Sequence, residues 1–301
     1  MAHRTGRLRT VTSPLRMLRR KAGPALPPDS HVHTQWSWDA PGGSMERSCR
    51  RAADLGLPTV AFTEHADYTR WAVSPHKPVN EQWMHRAGIG PDGRFGTPRL
   101  DVAGYLECVQ RCREQFPALR ILTGVELGEA HWHPAEVTAL LAGGDFDRVL
   151  GSLHSLRQDA PVMVDANMYD PARPGALIRA YLAEALTMIE SSAPFGVLAH
   201  IDYPVRYWPG RRFDPAEFEE EYRAVLRTLA DSGRALEINT RVPLAADIVR
   251  WWHDVGGEAV TFGSDAHAPE HLAWLFAEAA AMAEASGFRP GRQPHDLWRR
   301  G

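Results

Sequence analysis

Two short patterns lie near opposite ends of the chain, His31-Val32-His33 and Asp265-Ala266-His267. Between them His65, Glu126, His154 and His200 each stand at or near the end of a short apolar run. Imidazole nitrogens and carboxylate oxygens without thiolates suit zinc, iron, manganese or nickel, and not calcium or a structural cysteine-type zinc site. One ion would leave half of these eight positions unused; two or three metals would use them all. Residues two apart in a strand face the same side, so each pair projects together while Val32 and Ala266 face the other way. An imidazole where valine would pack costs core stability, and ligation offsets that cost while fixing the neutral ring. Singly, each residue has a plainer explanation: a satisfied core histidine, a helix-cap glutamate, or a solvated loop pair at Glu64-His65. The metal reading rests on the set.

The elements that must position these residues follow from the patterning. Strand-like runs fall at 30–34, 59–65, 120–128, 148–154, 196–202, 234–240 and 259–267. Helical stretches separate them. Ser44 precedes a run carrying Met45, Ala52 and Leu55 that stops at Gly56, and Val102, Tyr105, Val109, Cys112 and Phe116 keep helical spacing. Asp214-Pro215-Ala216-Glu217 supplies an N-cap, a proline at the first helical position and a capping-box glutamate for a helix through Phe218, Tyr222, Val225 and Leu229, ended by Gly233. Seven strands alternating with helices predict a parallel α/β arrangement. The carboxyl ends of such strands gather on one face, where sites form. Residues 66–100, rich in Pro, Gly, Trp and His, are expected to form a flap over the site. His131-Trp132-His133-Pro134 reads as a rim or flap element rather than a metal site, with Pro134 opening a helix. His3, His76, His85, His253, His271 and His295 have no partner pattern and are expected at the surface or in packing.

Composition narrows the class. At 301 residues, with 44% hydrophobic and 24% charged residues, the chain fits a single globular domain. No apolar run reaches the roughly 18 residues that span a bilayer, which argues against a membrane protein. A net charge of −3 argues against attraction of the whole protein to nucleic acid. Cys49, Cys108 and Cys112 have no paired metal spacing, fit a reducing compartment and so point to the cytoplasm, with Cys108 and Cys112 as core packing. Lys21 and Lys77 are the only lysines, so a bridging or Schiff-base lysine at a strand end is not expected. Residues 1–28 carry seven Arg or Lys, no acidic residue and a Pro-rich exit. They are expected to be a disordered basic arm, or a start set too far upstream with Met17 as the true one. Residues 29–301 would form the domain.

In order along the chain, the motifs resemble the polymerase and histidinol phosphatase family, the PHP domain, over about residues 29 to 272. The quoted stretches are SHVHTQWSWDA with His31, His33 and Asp39, FTEH ending at His65, GVELGE with Glu126, GSLHS with His154, LAHIDYP with His200 and GSDAHAPE with Asp265 and His267. EINT at 237–240 and FTEHAD resemble the histidinol-phosphatase branch. Asp39 stands where some members have histidine. The resemblance implies a distorted (β/α)7 TIM-like barrel with the metal site at the carboxyl ends of the strands, in agreement with the seven runs. It further implies that His31, His33, Glu126 and Asp265 bind one metal. Glu126 would bridge to a second metal held by His154 and His200, and Asp39, His65 and His267 would hold a third.

The expected activity is metal-dependent hydrolysis of a small phosphomonoester, histidinol phosphate or similar, in which two or three zinc, manganese or iron ions take part. Uncatalysed phosphate-monoester hydrolysis demands acceleration of up to about 10²¹-fold, and one general base supplies only about 10²–10⁴. A hydroxide between the two metals sharing Glu126 would attack phosphorus in line, with Glu126, His200 and Asp265 as the catalytic residues. Arg206, just past His200, leads the candidates for holding phosphoryl oxygens, with Arg157 and Arg241 behind it. Asn239 is expected either to orient substrate or to cap its loop. A PHP-type nucleotidase, phosphodiesterase or nuclease is the alternative, although there is no polymerase domain. An amidohydrolase-type enzyme also opens with His-x-His but usually ends on a lone aspartate, and a non-catalytic metal module should have lost ligands first.

Overall fold

The computed structural model describes residues 26–72, 88–157 and 161–301. Its principal sheet contains seven mutually parallel strands: β1 (Asp29–Val32), β2 (Thr59–Ala66), β3 (Arg120–Gly128), β4 (Arg148–Ser152), β5 (Val197–Leu198), β6 (Ala235–Asn239) and β7 (Ala259–Gly263). They pair in chain order, β1 with β2 through to β6 with β7. The sheet then closes on itself. Val32 bridges Ala266, the His33 amide donates to the Ala266 carbonyl at 2.8 Å and the Asp265 amide donates to the His31 carbonyl at 2.8 Å. The expected (β/α)7 barrel is what these strands build.

Only the carboxyl-terminal end of the β7 segment meets β1. At its amino-terminal end β7 pairs instead with an antiparallel strand, Trp298–Arg300, which in turn pairs with Phe288–Arg289. Trp298 stands edge-on to Phe262 of β7, ring centroids 4.8 Å apart.

Strand alternation sorts the side chains. Val60, Phe62, Val125, Leu127, Leu236, Ile238, Val260 and Phe262 pack with the surrounding helices in the two main apolar clusters. The alternate residues, among them Thr63, His65, Glu126, Glu237 and Thr261, face inward and are buried. A polar barrel interior is costly unless every group is partnered or ligated, and here it is concentrated toward the strands' carboxyl ends.

The helices are α1 (Met45–Leu55), α2 (Val102–Gln115), α3 (Pro134–Leu141), α4 (Gly175–Glu190), α5 (Glu219–Asp231), α6 (Ala246–Asp254) and α7 (Phe276–Ala285). In α1 the Ser44 hydroxyl accepts from the Arg47 amide, Gly56 closes the helix at φ 72°, and Met45, Ser48, Cys49 and Ala52 are buried. That matches its sequence signals. The α5 start does not: Asp214 accepts from Ala216 N to cap a 3-10 turn over Pro215–Phe218, and the α-helix begins only at Glu219. Tight 3-10 turns are a common way to begin a helix, and proline at their first position donates nothing. Pro134 opens α3 as expected, and Cys108 and Cys112 lie in the α1/α2 cluster.

Strand lengths differ from expectation at the carboxyl ends. β5 is two residues long rather than seven, and β4 and β7 stop at Ser152 and Gly263. His154, His200, Asp265 and His267 therefore sit on the turns leaving the strands. His200 and Asp265 have φ of 23° and 51°, a region non-glycine residues seldom adopt. The described part of the expected flap is a small antiparallel sheet of Trp71–Ala72, Arg94–Gly96 and Gly88–Ile89, whose Trp71 and Phe95 pack with Trp38. Residues 73–87 of the flap and 1–25 of the basic arm lie outside the described residues, while Leu26 packs against the core. Among the described residues no helix is long and apolar enough to cross a membrane.

Candidate metal centre

The centre is built around one carboxylate. Glu126, on β3, is fully buried, and five imidazoles converge on it. His200 Nε2 lies 2.7 Å from Oε1 and His154 Nε2 3.3 Å from the same oxygen. His65 Nδ1, His31 Nε2 and His33 Nε2 lie 3.0, 3.3 and 3.4 Å from Oε2. His33 Nε2 is also 3.5 Å from Asp265 Oδ1, and the Nε2 atoms of His31 and His33 are 3.0 Å apart. On the far side Asp39 stands between His65 and His267, 3.4 Å from one Nε2 and 2.9 Å from the other. All nine expected ligand positions thus meet in one cluster.

Donor chemistry and orphaned atoms test whether metals fit. Three triads, His31/His33/Asp265, His65/Glu126/His154 and His33/His65/His267, each bring their ligand atoms within 4.8 Å of one another. Asp39 Oδ1, His65 Nδ1, Glu126 Oε2 and His200 Nδ1 are buried with no well-formed hydrogen bond. Buried polar atoms are seldom left so. Nitrogen and oxygen lone pairs packed nose to nose, with no thiolate among them, are a fitting environment for borderline divalent cations.

The electrostatics are those of a cluster waiting for positive charge. Burial alone would push Glu126 up, but His31, His65 and His154 hold it well below the usual carboxylate range. Burial likewise opposes the charge on Asp265, and Arg206 and Arg241 outweigh it. Burial disfavours charge on His154 too, yet Glu126 and Asp67 raise it to about 10. His33 goes the other way, lowered by burial and by His65 and His267 nearby.

The arginines separate. Arg206 Nη2 donates to Asp265 Oδ2, with its guanidinium 4.5 Å above the Tyr203 ring. Arg241 Nη1 donates to Asp265 Oδ1 at 3.2 Å and lies 2.8 Å from His267 Nδ1. Both line a cavity of about 340 Å³ with Glu126, His154, His200, Trp38, Trp71 and Met163. Arg157 does not line it; its guanidinium lies 4.6 Å from the Trp132 ring. Asn239 is also away from the cavity, donating to Glu237 Oε2 at 3.1 Å and accepting from the Arg241 amide at 3.0 Å, the geometry of a loop cap. His131 Nε2 meets Glu184 Oε1 at 2.6 Å and His133 Nε2 meets the Thr69 hydroxyl at 2.9 Å, so this second His-x-His stays out of the cluster.

Several buried carboxylates escaped sequence reasoning. Glu237 meets His31 Nδ1 at 2.6 Å, and Asp67 meets His154 Nδ1 at 3.1 Å. Glu64 accepts from the Thr34 amide and hydroxyl and from Ser37 Oγ. Asp29 accepts from the amides of Ser264 and Ala273 and from the Ser264 hydroxyl, tying the first strand to the loop that carries Asp265. The available signal was alternation: Glu237 shares a strand face with Asn239, and Asp67 lies two residues past His65.

Comparison with known proteins shows the family and the fold. The PHP domain family matches residues 29–241. A probable histidinol-phosphatase of Deinococcus radiodurans is 30% identical over 279 residues, covering 87% of this chain and 94% of that protein. One from Thermotoga maritima is 32% identical over 251 residues, covering 81% and 85%. The crystal structure of histidinol phosphate phosphatase from Lactococcus lactis, in complex with zinc, L-histidinol and phosphate, superposes with a TM-score of 0.72 at 22% identity, covering 91% of this chain and 99% of that one.

Proposed function

The chain belongs to the PHP domain family and is a histidinol-phosphatase-like hydrolase, and from that premise we propose that it cleaves histidinol phosphate, or a phosphomonoester of similar size, with two or three divalent transition metals. The observation that carries this reading is one buried carboxylate, that of Glu126, within 3.4 Å of five imidazole nitrogens. A lone metal uses about four such donors; a shared carboxylate with ligands on both its oxygens suits adjacent ions. His31, His33, Glu126 and Asp265 would hold the first, Glu126, His154 and His200 the second, and Asp39, His65 and His267 a third. When bound, zinc, manganese or iron ions supply a nucleophile at neutral pH and a clamp on phosphoryl charge.

The protein's own groups bind and orient. Arg206 stands at the cavity with its guanidinium backed by Tyr203, and its fork geometry suits two oxygens of one phosphoryl group. Asp265 holds that fork at the centre until phosphate replaces it. Arg241, more exposed, adds charge at the rim. Trp38, Trp71 and Met163 form the apolar wall against which the ring of the leaving alcohol would lie, and a cavity of about 340 Å³ admits a small ester.

A phosphate-release screen over histidinol phosphate, sugar phosphates, mononucleotides, phosphodiesters and oligonucleotides, repeated with zinc, manganese and iron, tests the reading. The highest kcat/KM is expected for histidinol phosphate. A higher value for a nucleotide or diester would move the assignment to the nucleotidase or phosphodiesterase branch. No phosphate release from any monoester would end it.

A further inference from the structure

Glu237 and Asp67 are built alike on opposite sides of the cluster. Each is fully inside the protein, 1% and 5% exposed. Each sits over a glycine: a Cβ at Gly263 would fall 2.0 Å from Glu237 Oε1, and one at Gly128 would fall 2.1 Å from Asp67 Oδ1. The neighbouring strands leave out a side chain where each carboxylate lies.

Both carboxylates also use both oxygens. Glu237 Oε1 takes the Nδ1–H of His31 at 2.6 Å, while Oε2 accepts from the His200 amide at 2.8 Å and the Asn239 side chain at 3.1 Å. Asp67 Oδ1 takes the Nδ1–H of His154 at 3.1 Å, while Oδ2 accepts from the Trp38 indole at 2.8 Å. Holding Nδ1 fixes the tautomer and turns Nε2 inward, and the Nε2 atoms of His31 and His154 each lie 3.3 Å from Glu126. His200, whose backbone Glu237 holds, is the residue at φ 23°, so that contact stabilises a conformation the chain would otherwise leave.

Resting on the metal-centre reading above, we propose that Glu237 and Asp67 are positioning residues, Glu237 joining two neighbouring metal positions and Asp67 tying a metal position to the substrate wall. Glu237 links the His31 side of the cluster to His200. Asp67 links His154 to Trp38 on the substrate wall, and its Oδ2 stands 3.6 Å from His65 Nδ1. Neither carboxylate lines the cavity.

The amide isosteres make a sharp test. A glutamine at 237 or an asparagine at 67 keeps the volume but accepts on one oxygen only, so one donor must face an NH₂ group. Wild type, Glu237→Gln, Glu237→Asp and Asp67→Asn are stripped of metal, checked by thermal melting, and titrated with zinc and then cobalt(II) while metal content and the cobalt absorption spectrum are read. The apo forms should melt close together, while Glu237→Gln and Asp67→Asn bind zinc about 10- to 100-fold more weakly and give altered cobalt spectra. Glu237→Asp, which keeps two acceptors, should recover part of the loss. Wild-type zinc affinity and an unchanged cobalt spectrum in both amide variants would overturn the proposal. If one amide variant fails to fold, the other decides. A wild-type protein that takes up no metal would instead bring down the functional reading itself, and the wild-type titration shows that first.

Discussion

Asp265 draws two arginines, faces His33, and adopts a φ of 51° that aspartate tolerates better than most residues. Replacing it by alanine would remove a proposed ligand and release Arg206 and Arg241 at once. Asp265→Ala is expected to lose on the order of 10³-fold or more in kcat, the scale seen when a charge-stabilising group is removed, while the circular dichroism of the variant stays that of a folded α/β protein. An active variant would refute the role. The arginines make a paired contrast. Arg206→Ala should lower kcat/KM by roughly 10²-fold, whereas Arg157→Ala, stacked on Trp132 and outside the cavity, should stay within about twofold; equal losses in the two would break the assignment of Arg206. At this scale the residues that converge on Glu126 were legible because imidazoles at strand ends are rare in packing and their spacing repeats. Glu237, Asp67 and Glu64 lie inside the quoted EINT and FTEHAD stretches, yet their roles were not legible, because an acidic residue in sequence looks like any solvated one until the fold shows what it faces.

Helices and strands were legible to different degrees. Helix α1 was readable from end to end because its two boundaries are chemical: Ser44 caps one end and Gly56 turns left-handed at the other. Ser44→Ala is expected to destabilise the protein by about 1 kcal/mol, measured as a shift in the urea midpoint with an unchanged slope; no shift would show that the cap is idle. Barrel strands were readable in number and order. Their carboxyl ends were not, since a run such as GVLAHIDYP keeps apolar residues at alternate positions after the ladder has stopped at Leu198. Pairing ends there because His200 turns out of the strand to reach Glu126. Local patterning cannot show that a residue leaves a sheet to serve a site shared by other strands.

For the molecule as a whole, the cluster of histidines and carboxylates and the barrel seam coincide. His31 comes from β1, His33 from the residue just past it, and Asp265 and His267 from the segment after β7, two ends that a Val32–Ala266 bridge, its flanking amides and the Asp29 carboxylate bring together. Ions bound there would act as a clasp between the first and last strands. Stripping them with a chelator is expected to lower the melting temperature by about 6 °C relative to protein in metal at roughly 1,000 times Kd, corresponding to about 4 kcal/mol. A shift below about 2 °C would mean that the seam holds without them.

The other half of that seam has a different guardian. Trp298–Arg300 lies along Ala259 and Val260 and sets Trp298 against Phe262. Deleting residues 290–301 would bare a row of amides and carbonyls beside an uncovered phenylalanine, an open template onto which a strand from a second molecule can add. The shortened protein should run as dimers and larger aggregates on a sizing column while the intact chain does not, which would make the final strand of this enzyme its protection against sticking to itself.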